Sequence, residues 1–254
     1  MTPTSRRGGR SPASIAILTV LIDIVAFGMI LPILPGFADR LGSSPFAIGA
    51  LVASYSAIQF LLAPFWGRIS DRYGRRRILL LGLVGSVASY LLFAVADSYL
   101  LLFISRILDG GSGATISIAQ AYVADETEGR DRARAMGKIG AAFGIGFVIG
   151  PMIGGISAEQ GYLYTGFVAA GLCFANLIFA WWALPESNRT PTPAPPPLEP
   201  GAWQRLASPI AVLFLATLAF TTVYVVFPLY AETDLSADRR TIGMWFAMIA
   251  LATA

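Results

Sequence analysis

"GRISDRYGRRR", residues 67–77, places six charged side chains in eleven positions. Apolar stretches flank it on both sides, at 46–66 and 78–96. Each is long enough to cross ~30 Å of hydrocarbon as a helix rising 1.5 Å per residue. A short charged run between two such stretches reads as a loop joining two membrane spans. That reading decides the fold class: an all-α polytopic membrane protein.

The rest of the chain repeats the pattern. Its 254 residues are 56% hydrophobic and 13% charged, against about 45–50% apolar and about 25% charged in soluble domains. The candidate spans are 15–35, 46–66, 78–96, 99–122, 138–157, 163–184 and 209–230. An eighth opens near Thr241 and reaches only Ala254, too short to cross a bilayer. The sequence is therefore expected to be C-terminally truncated.

Positive charge sets the expected topology. The N-terminus and the loops after spans 2, 4 and 6 hold fourteen of the eighteen Lys and Arg residues, from Arg6 to Arg205. The opposite loops hold only Arg40, Arg239 and Arg240. The positive-inside rule then places the N-terminus, and loop 67–77, in the cytoplasm. The basic start precedes a span of full length, so it is read as an uncleaved anchor in a cell membrane, of bacterial inner-membrane type. Residues 1–14 are the cytoplasmic N-terminus and 15–184 a six-helix bundle. The proline-rich stretch 185–208 forbids a helix and reads as a cytoplasmic linker. Residues 209–254 begin a second bundle. A faint repeat supports this, since spans 1 and 7 both end in apolar-Pro-apolar, a polar loop and Ile-Gly.

Several chemistries are excluded. The chain has no histidine and a single cysteine, Cys173. That removes Ser-His-Asp and Cys-His catalysis, most zinc sites and any disulfide framework. No phosphate loop is present and Lys138 is the only lysine. No enzyme activity, metal, cofactor or nucleic-acid partner is expected.

Within the spans, charges are few. Asp23 lies in "LIDIVAFGMILPILP" and Arg106 and Asp109 lie in "SRILDGGSGATISIAQAYVAD". A charge at mid-bilayer costs at least ~2.5–3.5 kcal/mol on insertion scales, so each needs a partner or a role. Arg106 and Asp109 are three apart and share a helix face, which fits a structural ion pair. Asp23 fits a hydrogen bond to a neighbouring helix. It also fits a proton carrier, because loss of water favours the neutral form of a carboxylic acid. Asp23 and Arg106 reach similar depth from opposite sides, so a pairing between them is expected. Gly110, Gly111 and Gly113 permit a close neighbour. Tyr55, Gln59, Thr115, Ser117 and Gln120 either line a cavity or satisfy one another.

Loop 67–77 follows G-x-[LI]-[AS]-D-R-x-G-R-R, with Gly67, Arg68, Asp71, Arg72, Gly74, Arg75 and Arg76 in place. A stop-transfer cluster needs only net charge and leaves both glycines and Asp71 unexplained. Gly74 suits a turn with positive φ. Asp71 suits a helix N-terminus or an arginine across the bundle. Span 5 carries G-x8-G-x3-G-P-x-x-G-G at Gly137, Gly146, Gly150, Pro151, Gly154 and Gly155. The spacing also makes a plain small-residue packing ridge. A dinucleotide loop fails there, because no strand precedes it.

Loop 67–77 resembles the signature loop of the major facilitator superfamily, and the resemblance implies a gate latch on the cytoplasmic side. Arg-x-x-x-Gly-x-x-Gly-Ala at Arg106 resembles that family's fourth-span motif, whose arginine is linked to proton transfer; Asp109 is not usual there. The first-span run Asp23…Gly28…Pro32…Pro35 is similar to that of the drug:proton antiporters with twelve spans. The span 5 pattern resembles their antiporter motif. Tetracycline and multidrug exporters come nearest, with one departure: Ser89 stands near the place where the tetracycline exporters carry a third-span aspartate.

The resemblance implies a proton-coupled antiporter that exports amphipathic small molecules by alternating access, a monomer at full length. Asp23, Arg106 and Asp109 would couple to protons. Two alternatives stand beside it. One is a nutrient symporter of the same fold; the other is a non-transporting receptor or scaffold, for which buried charges have no use.

Overall fold

The spans expected from hydropathy form as helices in the computed structural model, which describes residues 11–112, 115–187 and 201–253. In chain order they are α1 (Pro12–Ile30), α2 (Leu34–Arg40), α3 (Pro45–Tyr73), α4 (Arg75–Ala94), α5 (Tyr99–Ser112), α6 (Thr115–Glu126), α7 (Gly129–Glu159), α8 (Tyr162–Ala183), α9 (Ala202–Thr233) and α10 (Arg239–Thr253). Seven stretches are long and apolar enough to cross a membrane, with α1–α2 and α5–α6 each counted as one. No strand occurs among the described residues. Residues 1–10, Gly113 and most of the proline-rich stretch lie outside them.

Local chemistry explains the boundaries. Ser11 and Ser44 cap α1 and α3, each accepting the backbone N–H three residues on at 3.3 Å, and each is followed by a proline at the first helical position. At Pro32 and Pro35 the first span is fully interrupted: α1 ends at Ile30, and α2 restarts at Leu34.

One expectation needs revision. Residues 67–73 are not loop. No residue there breaks a helix, so α3 continues through them, and Gly74 alone turns the chain at φ +113°. Residues 129–137 likewise belong to α7, and residues 202–208 of the expected linker belong to α9, since no proline falls among them.

Two apolar cores hold the bundle. One joins Met29, Ile30 and Phe37 to Leu51, Phe93 and Ala169. The other, nearer the basic loops, joins Val20 and Ile24 to Leu79, Leu83, Tyr122 and Ile139. Around Gly150 and Gly154, helix α1 packs on α7 through its backbone. A Cβ on Gly150 would stand 2.7 Å from the Val25 carbonyl, and one on Gly154 2.3 Å from that of Met29. On its other side α7 meets α10: a Cβ on Gly155 would stand 2.6 Å from the Arg239 carbonyl, and one on Gly243 2.4 Å from that of Pro151. Helix α7 is thus clasped between the first span and the last helix.

Candidate functional site

Arg106 and Asp109, one turn apart on α5, are almost fully buried, at 2% and 3% exposure. Arg106 Nη1 donates to Asp109 Oδ2 at 3.1 Å, and its guanidinium lies 5.5 Å from the Phe93 ring and 5.8 Å from that of Tyr90. The second Asp109 oxygen accepts from Ser89 Oγ on α4 at 3.1 Å. The residue standing near the expected third-span acid thus holds an acid from the neighbouring helix.

Asp23, half-buried on α1, faces the same space. The only hydrogen bond described for its carboxylate comes from Cys173 Sγ at 3.9 Å. Asp23 and Asp109 line one cavity of about 140 Å³ with Tyr55, Gln59, Ser86 and Tyr90. The expected Asp23–Arg106 contact is therefore not the pairing found: Arg106 bonds its own helix neighbour, and Asp23 looks across the cavity at that pair. Phe27, Tyr55 and Phe147 separate this cavity from a second of about 180 Å³, lined by Arg106, Ser56, Thr217 and Thr221. The second space lies between the six-span bundle and α9.

Of the polar residues expected to line a cavity, Tyr55 and Gln59 do. Thr115 instead packs on α4, where a Cβ on Gly82 would come within 3.0 Å of its hydroxyl. Ser117 and Gln120 sit on an exposed face of α6 and line neither cavity. Sequence reading missed Thr217 and Thr221. Their signal is a pair of hydroxyls four apart on one face of an apolar helix.

In the signature loop the hub is Arg75. Its guanidinium bonds Asp71 Oδ1 at 2.6 Å, Asp125 Oδ2 of α6 at 3.1 Å and Ser70 Oγ at 2.6 Å. Asp71 therefore meets an arginine of the next helix, while the N-terminus of α4 is taken by Glu186, which accepts the Arg76 N–H at 3.1 Å. A Cβ on Gly74 would come within 2.7 Å of that carboxylate. The Arg76 guanidinium donates to the Trp181 carbonyl. Arg68 and Arg72 are exposed, and a Cβ on Gly67 or on Gly137 would meet nothing within 4 Å.

At the opposite end a second cluster joins the halves of the chain. Glu232 of α9 lies 3.9 Å from both Arg40 of α2 and Arg239 of α10. Arg239 donates to the Ala158 carbonyl at 2.6 Å, and its guanidinium stands 4.5 Å from the Tyr162 ring centre. The neighbouring Asp238, before α10, accepts from Thr241, which holds its carboxyl below the usual range.

Comparison with known proteins places this arrangement. The Tetracycline resistance protein, class C, of Escherichia coli is 35% identical over 246 residues, covering 92% of this chain and 62% of that protein. The Multidrug resistance protein 2 of Bacillus subtilis is 35% identical over 174 residues, covering 68% of this chain and 44% of its own. This chain thus spans 62% or less of the length of either relative. Among solved structures, the human organic anion transporter MFSD10 (TETRAN) superposes with a TM-score of 0.74 at 25% identity, covering 97% of this chain and 70% of that one. A bacterial homolog of the human lysosomal transporter Spinster, inward-facing and occupied, reaches 0.80 at 16% identity over 95% of this chain and 59% of its own, a likeness of fold. The sequence profile of the Major Facilitator Superfamily matches residues 16–254, and the chain belongs to that superfamily.

Proposed function

We propose that this chain is the first bundle and the opening helices of the second in a proton-coupled antiporter exporting amphipathic small molecules. The observation that carries the reading is the cavity with two carboxylates. Asp23 and Asp109 face one space beside a single buried guanidinium. Ionised, the three leave one net negative charge away from bulk water, and repulsion between the two acids falls when Asp23 takes a proton. Ionised Asp23 draws Arg106 from Asp109, and protonated Asp23 lets it return. The exchange biases the bundle between two states, as proton binding must if it is to drive a conformational cycle.

The relatives named as tetracycline and multidrug resistance proteins support the export direction and the substrate class. The space lined by Tyr55, Ser56, Thr217 and Thr221 would take the substrate, between bundles that rock about it. The glycine contact of α7 with α10 and the Glu232 cluster would close the outer end in this state. With the N-terminus in the cytoplasm, the Arg75 hub and exposed Arg68 and Arg72 lie on the inner side.

The test is drug uptake into everted vesicles with an imposed acid-interior pH gradient, using the chain extended to its relatives' length. Asp23→Asn is expected to lower proton-driven transport by at least about ten-fold, the loss expected for one essential proton-transfer group. Unchanged transport in Asp23→Asn removes the coupling role. Uptake running in the same direction as the protons establishes symport instead.

A further inference from the structure

Helices α4 and α8 touch closely far from the basic loops: a Cβ on Gly166 would stand 2.5 Å from the Ala94 Cα. Toward the basic end the side chains are large and the pair opens on the outer surface. A groove of about 500 Å³ results, lined by Leu80, Leu81, Val84, Leu177 and Ile178, with Arg77 and Trp181 at its charged end. Helix α4 begins at Arg75 and α8 ends at Ala183, so Arg77 and Trp181 lie in the terminal turns, at headgroup level.

The three arginines there are not equivalent. Arg75 is held by Asp71, Asp125 and Ser70. Arg76 donates to the Trp181 carbonyl, and its backbone N–H takes Glu186. Arg77 is exposed and has no ion pair or hydrogen bond among the described residues. Trp181 and Trp182 beside it are 61% and 87% exposed, as expected of an interfacial belt. An unpaired guanidinium at the mouth of an apolar groove wants an anion with a hydrocarbon tail attached.

We propose that this groove binds one anionic phospholipid. Its phosphate takes a forked pair of hydrogen bonds from Arg77. The glycerol region lies against Trp181, and one acyl chain runs along Leu81, Val84 and Ile178. The site is separate from both central cavities and does not rest on the transport reading. On the orientation proposed above it draws from the cytoplasmic leaflet.

The test measures lipid retention on the purified full chain by native mass spectrometry, with phosphatidylglycerol and phosphatidylcholine of identical acyl chains. The wild type is expected to keep one phosphatidylglycerol with roughly five-fold preference, the size of one basic residue at the headgroup layer. Arg77→Gln is expected to remove the preference while leaving some retention of both lipids. Ile178→Trp, which fills the groove, is expected to lower retention of both. Both substitutions are on exposed positions, and helicity by circular dichroism checks that each variant has folded. Glycerol phosphate, which has no acyl chain, is expected not to displace the bound lipid. Equal retention of the two lipids by the wild type, or a preference that survives Arg77→Gln, overturns the proposal. So does displacement by glycerol phosphate, which would mark a plain phosphate site.

Discussion

Arg106 and Asp109 are coupled by burial, so changing one is worse than changing both. Arg106→Ala leaves a carboxylate 3% exposed with only Ser89 beside it. It is expected to destabilise the chain by about 3–5 kcal/mol, whereas Arg106→Met with Asp109→Leu should recover most of that loss. Thermal unfolding in detergent compares the two. Asp23→Asn removes a charge opposed by no arginine in this state, so it should leave the melting midpoint nearly unchanged while abolishing coupling. That separation of stability from activity distinguishes a proton carrier from a structural partner. The sequence made all three residues visible, because charge in an apolar span is conspicuous. It did not reveal their pairing. Arg106 and Asp109 fall on one helix face, but whether Arg106 turns to Asp109 or across to Asp23 depends on how α1 is rotated against α5. Hydropathy carries no record of that rotation. Likewise the approach of Glu186 to the α4 N-terminus joins residues more than a hundred positions apart.

Among the helices, glycines fall into two sorts. Gly150 and Gly154 have α1 backbone where a Cβ would go, and Gly137 and Gly140 have open space. Gly154→Ala should therefore cost about 1–3 kcal/mol by forcing α1 and α7 apart, and Gly137→Ala should be close to neutral. Melting midpoints of the purified variants decide it. At the signature loop, Gly74→Ala imposes a positive φ on an L-residue beside the Glu186 carboxylate, and a loss of about 1–3 kcal/mol is expected. Gly67→Ala should be tolerated for stability. Element existence was legible in the sequence, since seven apolar blocks became seven span-length stretches. Their ends were not. Charged residues 67–73 look like a loop, yet charge does not break a helix that emerges from the membrane into water. Pro32 and Pro35 marked the true break between α1 and α2, whereas Pro64 and Pro151 sit inside α3 and α7.

Across the molecule, the cluster of Arg40, Glu232, Arg239 and Tyr162 ties α2 and α8 to α9 and α10 at one end. Glu232→Gln weakens both ion pairs at once. It is expected to raise, several-fold, the rate at which a membrane-impermeant thiol reagent on the outside labels a cysteine placed at Thr221, in a Cys173→Ser background. An unchanged rate would mean that the cluster does not govern access to the cavity between the bundles. The pattern that announced a small-residue ridge gave no hint of a second face, because Gly155 looks toward a helix that begins eighty-four residues later, at Arg239. At that face Gly155 and Gly243 meet with no side chain from either. Where those two glycines meet there is nothing to unhook, and that stretch of the seam can part and rejoin without a rotamer changing. Beside it Phe147 of α7 packs against the cluster of Ile242 and Phe246 of α10, so opening is limited by that contact and by the charged residues around it.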